Sequence, residues 1–89
     1  MKAIVSVIGH DAVGIMAAVS GECAKHNANI IDVTQSVLKD MFTMIMLIDI
    51  TDLSSDFASL SASLEKLGES IGMKIHVMHE DIFNSMHRI

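Results

Sequence analysis

The chain has no tryptophan, no tyrosine and no proline, and only three phenylalanines. With so little flat π surface it has almost nothing on which nucleobases could stack. Cations are scarce too: six Lys and Arg stand against eleven Asp and Glu, for a formal charge of −5. No basic footprint for a phosphate backbone exists, so DNA and RNA are excluded as partners of this domain. The single cysteine, Cys23, cannot close a disulfide within the chain, and no Cys-x-x-Cys pair is present to hold zinc or carry redox chemistry. Long apolar runs are also missing. The stretch from Met1 stops at Gly9, too short for a leader's apolar core, and Met44 to Ile48 falls far short of a membrane span. A soluble, cytoplasmic protein with no membrane partner is expected.

What is present is unusual in its own way. Of 89 residues 51% are apolar, eight of them methionine, which leaves room for one core and no second domain. One domain over residues 1–89 is expected, with its core at about 2–80 and a tail at 81–89.

Ala3 to Ile8 is rich in Ile and Val and reads as a strand ended by Gly9. Asp11 stands where a helix N-cap belongs, and Ala12, Ile15, Met16, Val19 and Cys23 mark one apolar helical face, with Ala18, Glu22 and Lys25 opposite. Asn27 suits the left-handed residue that closes a helix. Ile30 to Leu38 and Met41 to Ile50 read as strands joined by the turn Lys39-Asp40, hence a hairpin. Because Phe42, Met44, Met46, Ile48 and Ile50 alternate with Ile45 and Leu47, the second of these is expected to be central and covered on both sides.

Thr51 to Asp56 supplies caps for a second helix. That helix buries Phe57, Leu60, Leu64, Leu67 and Ile71, turns Ser59, Ser63, Lys66 and Ser70 outward, and ends at Gly72. Met73 to His79 is the last strand. In the tail, Ile82, Phe83, Met86 and Ile89 form the stripe of a short helix. The order βαββαβ predicts an α+β ferredoxin-like sandwich: a four-stranded antiparallel sheet with two helices on one face. Right-handed crossovers are expected to set each strand that follows a helix beside a parallel neighbour. The fold hosts many functions, so the site must decide.

Gly9 to Gly14 connects a strand to a helix, where phosphate loops sit, but Ile15 and Met16 replace the Lys and Ser/Thr of a nucleotide loop. What survives is a helix start beside a glycine, a place that suits a small carboxylate. His10-Asp11 lacks the further His and Asp of a metal hydrolase. His76 and His79 fall on opposite faces of a strand and cannot share a metal. Met41, Met44 and Met46 raise soft-metal binding as an alternative, although flexible core filling accounts for them. The only arginine, Arg88, is in the tail, far from the first loop where a phosphatase of this fold would need it. Cys23 sits on the buried stripe as a neutral thiol. No enzyme, metal or cofactor is expected.

Val7, the run Asp11-Ala12-Val13-Gly14-Ile15-Met16, Val19 and Asn27-Ala28-Asn29-Ile30 together resemble an ACT domain. The length and the ending Glu80-Asp81-Ile82-Phe83 resemble the stand-alone ACT proteins of bacteria and archaea, related to the ACT domains of glycine-cleavage repressors and formyltetrahydrofolate deformylases. The resemblance implies pairing through sheet edges and a small metabolite, such as an amino acid, held at the interface. By that likeness the ligand residues are His10, Asp11, Val13, Gly14 and Ile15 in the loop, with Asn29 and Ile30 at the next strand. Asn29 matches a polar ligand contact of the serine-sensing domain of phosphoglycerate dehydrogenase. Asp11 and Gly9 stand where that domain has Asn and His, so the polar anchor is altered.

The expected function is therefore regulatory binding of an amino acid by a homodimer or higher oligomer, acting in trans on an enzyme or regulator. The alternative is an interaction module without a ligand. The residues agree with an oligomer, because Ile45 and Leu47 point away from the core that the helices cover.

Overall fold

The computed structural model describes residues 1–10 and 13–86. Its elements run β1 (Lys2–Gly9), α1 (Ile15–Lys25), β2 (Asn29–Leu38), β3 (Met41–Asp49), α2 (Phe57–Ile71), β4 (Lys74–His79) and α3 (Glu80–Met86). The four strands form one sheet in the order β2-β3-β1-β4.

Every adjacent pair is antiparallel, so no strand lies beside the parallel neighbour that the crossovers suggested. The reason is local. A two-residue turn obliges β2 to pair with β3, and β3 takes the slot next to β1. Each βαβ crossover therefore passes over one intervening strand, the split arrangement of the ferredoxin-like fold. Lys39 occupies the turn at φ 58°.

One face of the sheet forms the core. Ala3, Val5 and Val7 of β1 meet Met44, Met46 and Ile48 of β3, and Val19 and Cys23 of α1 and Leu60 and Leu64 of α2 pack over them, all fully buried. Period-2 alternation in the strands and period-3.6 spacing in the helices converge on this layer. Met44 and Met46 fill its middle, where a flexible thioether packs a chain poor in aromatics.

The other face of β3 is not covered within the chain as expected: Leu47 is half-buried and Ile45 is 40% exposed. Met16, placed on the buried stripe of the first helix, is exposed as well, because α1 turns only Ile15, Val19 and Cys23 inward. A bulge between Ile30 and Asp32 leaves Ile31 outside the ladder. In the tail stripe Phe83 is half-buried but Ile82 is 56% exposed, and the Met86 side chain and Ile89 lie outside the described residues.

Candidate functional site

The loop after β1 is set by what surrounds it. Gly9 ends β1 opposite Phe42, and the Met73 side chain occupies the space where a Cβ on Gly9 would stand. His10 is exposed, with Nδ1 3.6 Å from Oδ2 of Asp40 in the hairpin turn, so the loop leans toward the β2–β3 end. Val13 is 88% exposed. Asp11, expected as the N-cap, and Ala12 lie outside the described residues. The cap position itself belongs to Gly14, three residues later than expected.

Gly14 adopts φ 74°, a left-handed conformation in which an L side chain is strained. No heavy atom lies within 4 Å of where its Cβ would be. The backbone at Gly14 is therefore open to its surroundings, at the start of a helix whose first-turn N–H groups have no partner within the helix. The Gly14 carbonyl accepts the first helical bond, from Ala18 N–H at 3.0 Å, and Ile15 anchors the turn in the core.

Asn29 and Ile30 are elsewhere. Asn29 opens β2 opposite Asp49, which in turn faces Lys2 at the start of β1. Along β1 that is the far end from Gly9, on the order of 23 Å away at strand rise. Asn29 is exposed beside this pair, while Ile30 is half-buried against the core. Of the seven residues singled out by resemblance, the six described ones thus fall into two groups at opposite ends of one sheet. At the Asn29 end Asp49 accepts from Thr51 N–H at 2.9 Å, and the Thr51 hydroxyl and N–H hold its carboxyl below the usual range.

Sequence reasoning missed a polar cluster near this end. Ring Nδ1 of His26 is 2.7 Å from Ser55 Oγ, Nε2 is 3.1 Å from Ser63 Oγ, and Glu22 Oε2 lies 3.6 Å from Nε2. Ser63 is therefore half-buried rather than turned outward. Asn27, left-handed as expected at φ 59°, donates from Nδ2 to the Asp52 carbonyl at 2.8 Å. The cluster joins the end of α1 to the loop before α2, and the only hint in the sequence was the serine density of residues 54–63.

Other chemistries find little support. Burial pushes the Cys23 thiol up to about 11, so it stays protonated at neutral pH. Met44 and Met46 are sealed in the core, out of reach of a soft metal. Among the described residues no three of His, Cys, Asp or Glu gather as a metal site, and no helix is long and apolar enough to cross a membrane. His76 is exposed on the open face, whereas His79 turns inward and meets Phe57 at 5.2 Å between ring centroids.

Residues 2–78 match the family model for the ACT domain. The chain belongs to the ACT domain family. It is 52% identical over 86 residues to a UPF0237 protein of Methanococcus maripaludis, covering 97% of this chain and 96% of the relative. A UPF0237 protein of Listeria monocytogenes is 44% identical over the full length of both. Among solved structures, an ACT domain protein from Streptococcus pneumoniae superimposes with a TM-score of 0.83 at 39% identity, covering 98% of each chain. A putative glycine cleavage system transcriptional repressor shares the fold at 23% identity, with a TM-score of 0.70 over 85% of this chain and 43% of its own. The ACT domain is a regulatory, ligand-binding domain, and the ferredoxin-like sandwich seen here is its architecture.

Proposed function

We propose that this ACT domain is a non-catalytic sensor that binds a free amino acid between two copies of the chain and passes the signal to an enzyme or regulator in the cytoplasm. The observation that carries this reading is the separation of the two residue groups. His10, Val13, Gly14 and Ile15 lie at one end of the sheet and Asn29 and Ile30 at the other, so one chain alone cannot close a site around a small molecule.

β2 supplies the means to close it. It is an edge strand of ten residues whose outer hydrogen-bonding groups are open to a partner, and it exposes Ile31, Val37 and Leu38. Two β2 edges paired antiparallel about a two-fold axis bring Asn29 of one chain to the hairpin end of the other. The loop already leans toward that end through His10 and Asp40.

The chemistry suits a zwitterion. The α1 start and the open backbone at Gly14 favour a carboxylate, Asp11 meets an ammonium, and Asn29 offers both a donor and an acceptor.

Titration calorimetry with a panel of free amino acids tests the proposal. Saturable heat from one or a few of them is expected, weakened at least tenfold by Gly14→Val, which fills the approach, and by Asn29→Ala. Silence across the whole panel with folded protein would leave the apolar surfaces as the functional feature and favour an interaction module.

A further inference from the structure

The face of the sheet turned away from α1 and α2 is divided into two halves. Ile4 and Met78 pair across β1 and β4, the two strands that α3 touches, and both are half-buried. Further along the same strands the face is open. Ile8 is 42% exposed and Ile45 on β3 is 40% exposed. The register sets Ile8 opposite Lys74 and sets Ser6 between Ile45 and His76, so the apolar centre has Lys74 and the His76 ring on its β4 side, with Glu65 and Glu69 of α2 lining the hollow beyond them.

The complement of that patch is carried by the chain itself. The α3 helix has Glu80 and Asp81 in its first turn, followed directly by the exposed Ile82. Lys74 standing opposite the exposed Ile8 suits a segment that carries a carboxylate next to an apolar anchor, as Asp81 and Ile82 do. We infer that the open half of this face is the seat of α3 from a second copy, with Ile82 packing on Ile8 and Ile45 and Asp81 meeting Lys74.

Symmetry makes the contact reciprocal. A two-fold axis lying across the strands reverses their direction and sets each copy's α3, which touches one half of its own face, over the open half of the other. The isoleucines then form a dry centre and the Lys74–Asp81 pair a solvated margin, the usual division in a protein interface. The apolar centre supplies most of the affinity and the charges fix the register, since an exposed ion pair contributes little by itself. This contact is separate from the β2 edge, so it builds assemblies on top of edge pairing and does not depend on the amino-acid reading.

Sedimentation velocity over micromolar to submillimolar concentrations reads it. Ile45→Glu and Ile82→Glu, both on exposed positions, are each expected to halve the assembled mass while circular dichroism stays that of the folded chain. Lys74→Asp alone and Asp81→Lys alone weaken assembly, and the doubly exchanged chain recovers it. Unchanged mass in Ile45→Glu or Ile82→Glu, or no recovery in the double exchange, overturns the contact. An amino-acid heat that disappears with Asn29→Ala at unchanged mass would concern the other reading alone.

Discussion

A methyl group on Gly68 would stand 2.7 Å from the carbonyl oxygen of Met73. The same two residues are joined by a bond from Met73 N–H to the Gly68 carbonyl at 2.8 Å, so α2 and the entry to β4 meet backbone against backbone. The Ile75 side chain closes the remaining space at 2.9 Å. Because the obstacle is backbone, it cannot move aside as a flexible side chain would. Gly68→Ala is expected to destabilise the fold by about 1–3 kcal/mol, the usual cost of overpacking, despite the better helix propensity of alanine. Urea unfolding checks this: the midpoint falls with the slope unchanged.

The acid limb of the stability curve depends on a helix cap. The Asp56 carboxylate accepts from Ser59 N–H at 2.7 Å at the start of α2, and the Ser59 hydroxyl and N–H hold its carboxyl below the usual aspartate value. A depressed folded-state value means that the unfolded chain takes up the proton first as pH falls. The contribution is fully present above the unfolded value of about 3.9 and fades as pH drops through the lower folded value. Asp49, held the same way by Thr51, adds to the same window. Asp56→Ala is expected to lower stability at pH 7 and to shrink the difference between pH 7 and pH 3. Thermal melts across that range, compared with the unaltered chain, measure both.

How far the sequence disclosed this molecule depends on the range of the interactions. The strands and helices were legible because a residue's face follows from its own spacing: Met44, Met46 and Ile48 fall on one side of β3 whatever lies beyond it. The start of α1 was not, since Asp11 is a better cap by residue type, whereas the position goes to Gly14 in a left-handed turn. The four-stranded antiparallel sheet follows from the element order, but the parallel neighbours expected after each helix are absent because a tight hairpin outranks the crossover preference. The residues proposed for the site can be named from the sequence, but the distance between Gly9 and Asn29 is a property of the register, which no local pattern records. His26 was passed over for the same reason, as Ser55 and Ser63 reach it from far along the chain.

That histidine gives the last prediction. Its ring is mostly buried between α1 and α2, with Ser55 Oγ at 2.7 Å from Nδ1 and Ser63 Oγ at 3.1 Å from Nε2. Its main-chain carbonyl accepts from Ser54 N–H at 2.9 Å, so backbone and side chain both fasten the loop before α2 to the end of α1. A neutral imidazole has one donor and one acceptor nitrogen, and a serine hydroxyl can fill either role, so both partners are satisfied in either tautomer. Removing the ring strands two hydroxyls in a half-buried place and opens a gap between the helices. His26→Ala is expected to cost about 1–3 kcal/mol, and Ser63→Ala about 1 kcal/mol. The informative measurement is the double-mutant cycle: because Ser63 acts through the ring, the two losses should overlap by about 0.5 kcal/mol or more. Strictly additive losses would mean that the ring and the hydroxyl stabilise the helix pair independently, and that the contact is incidental to how α1 is held.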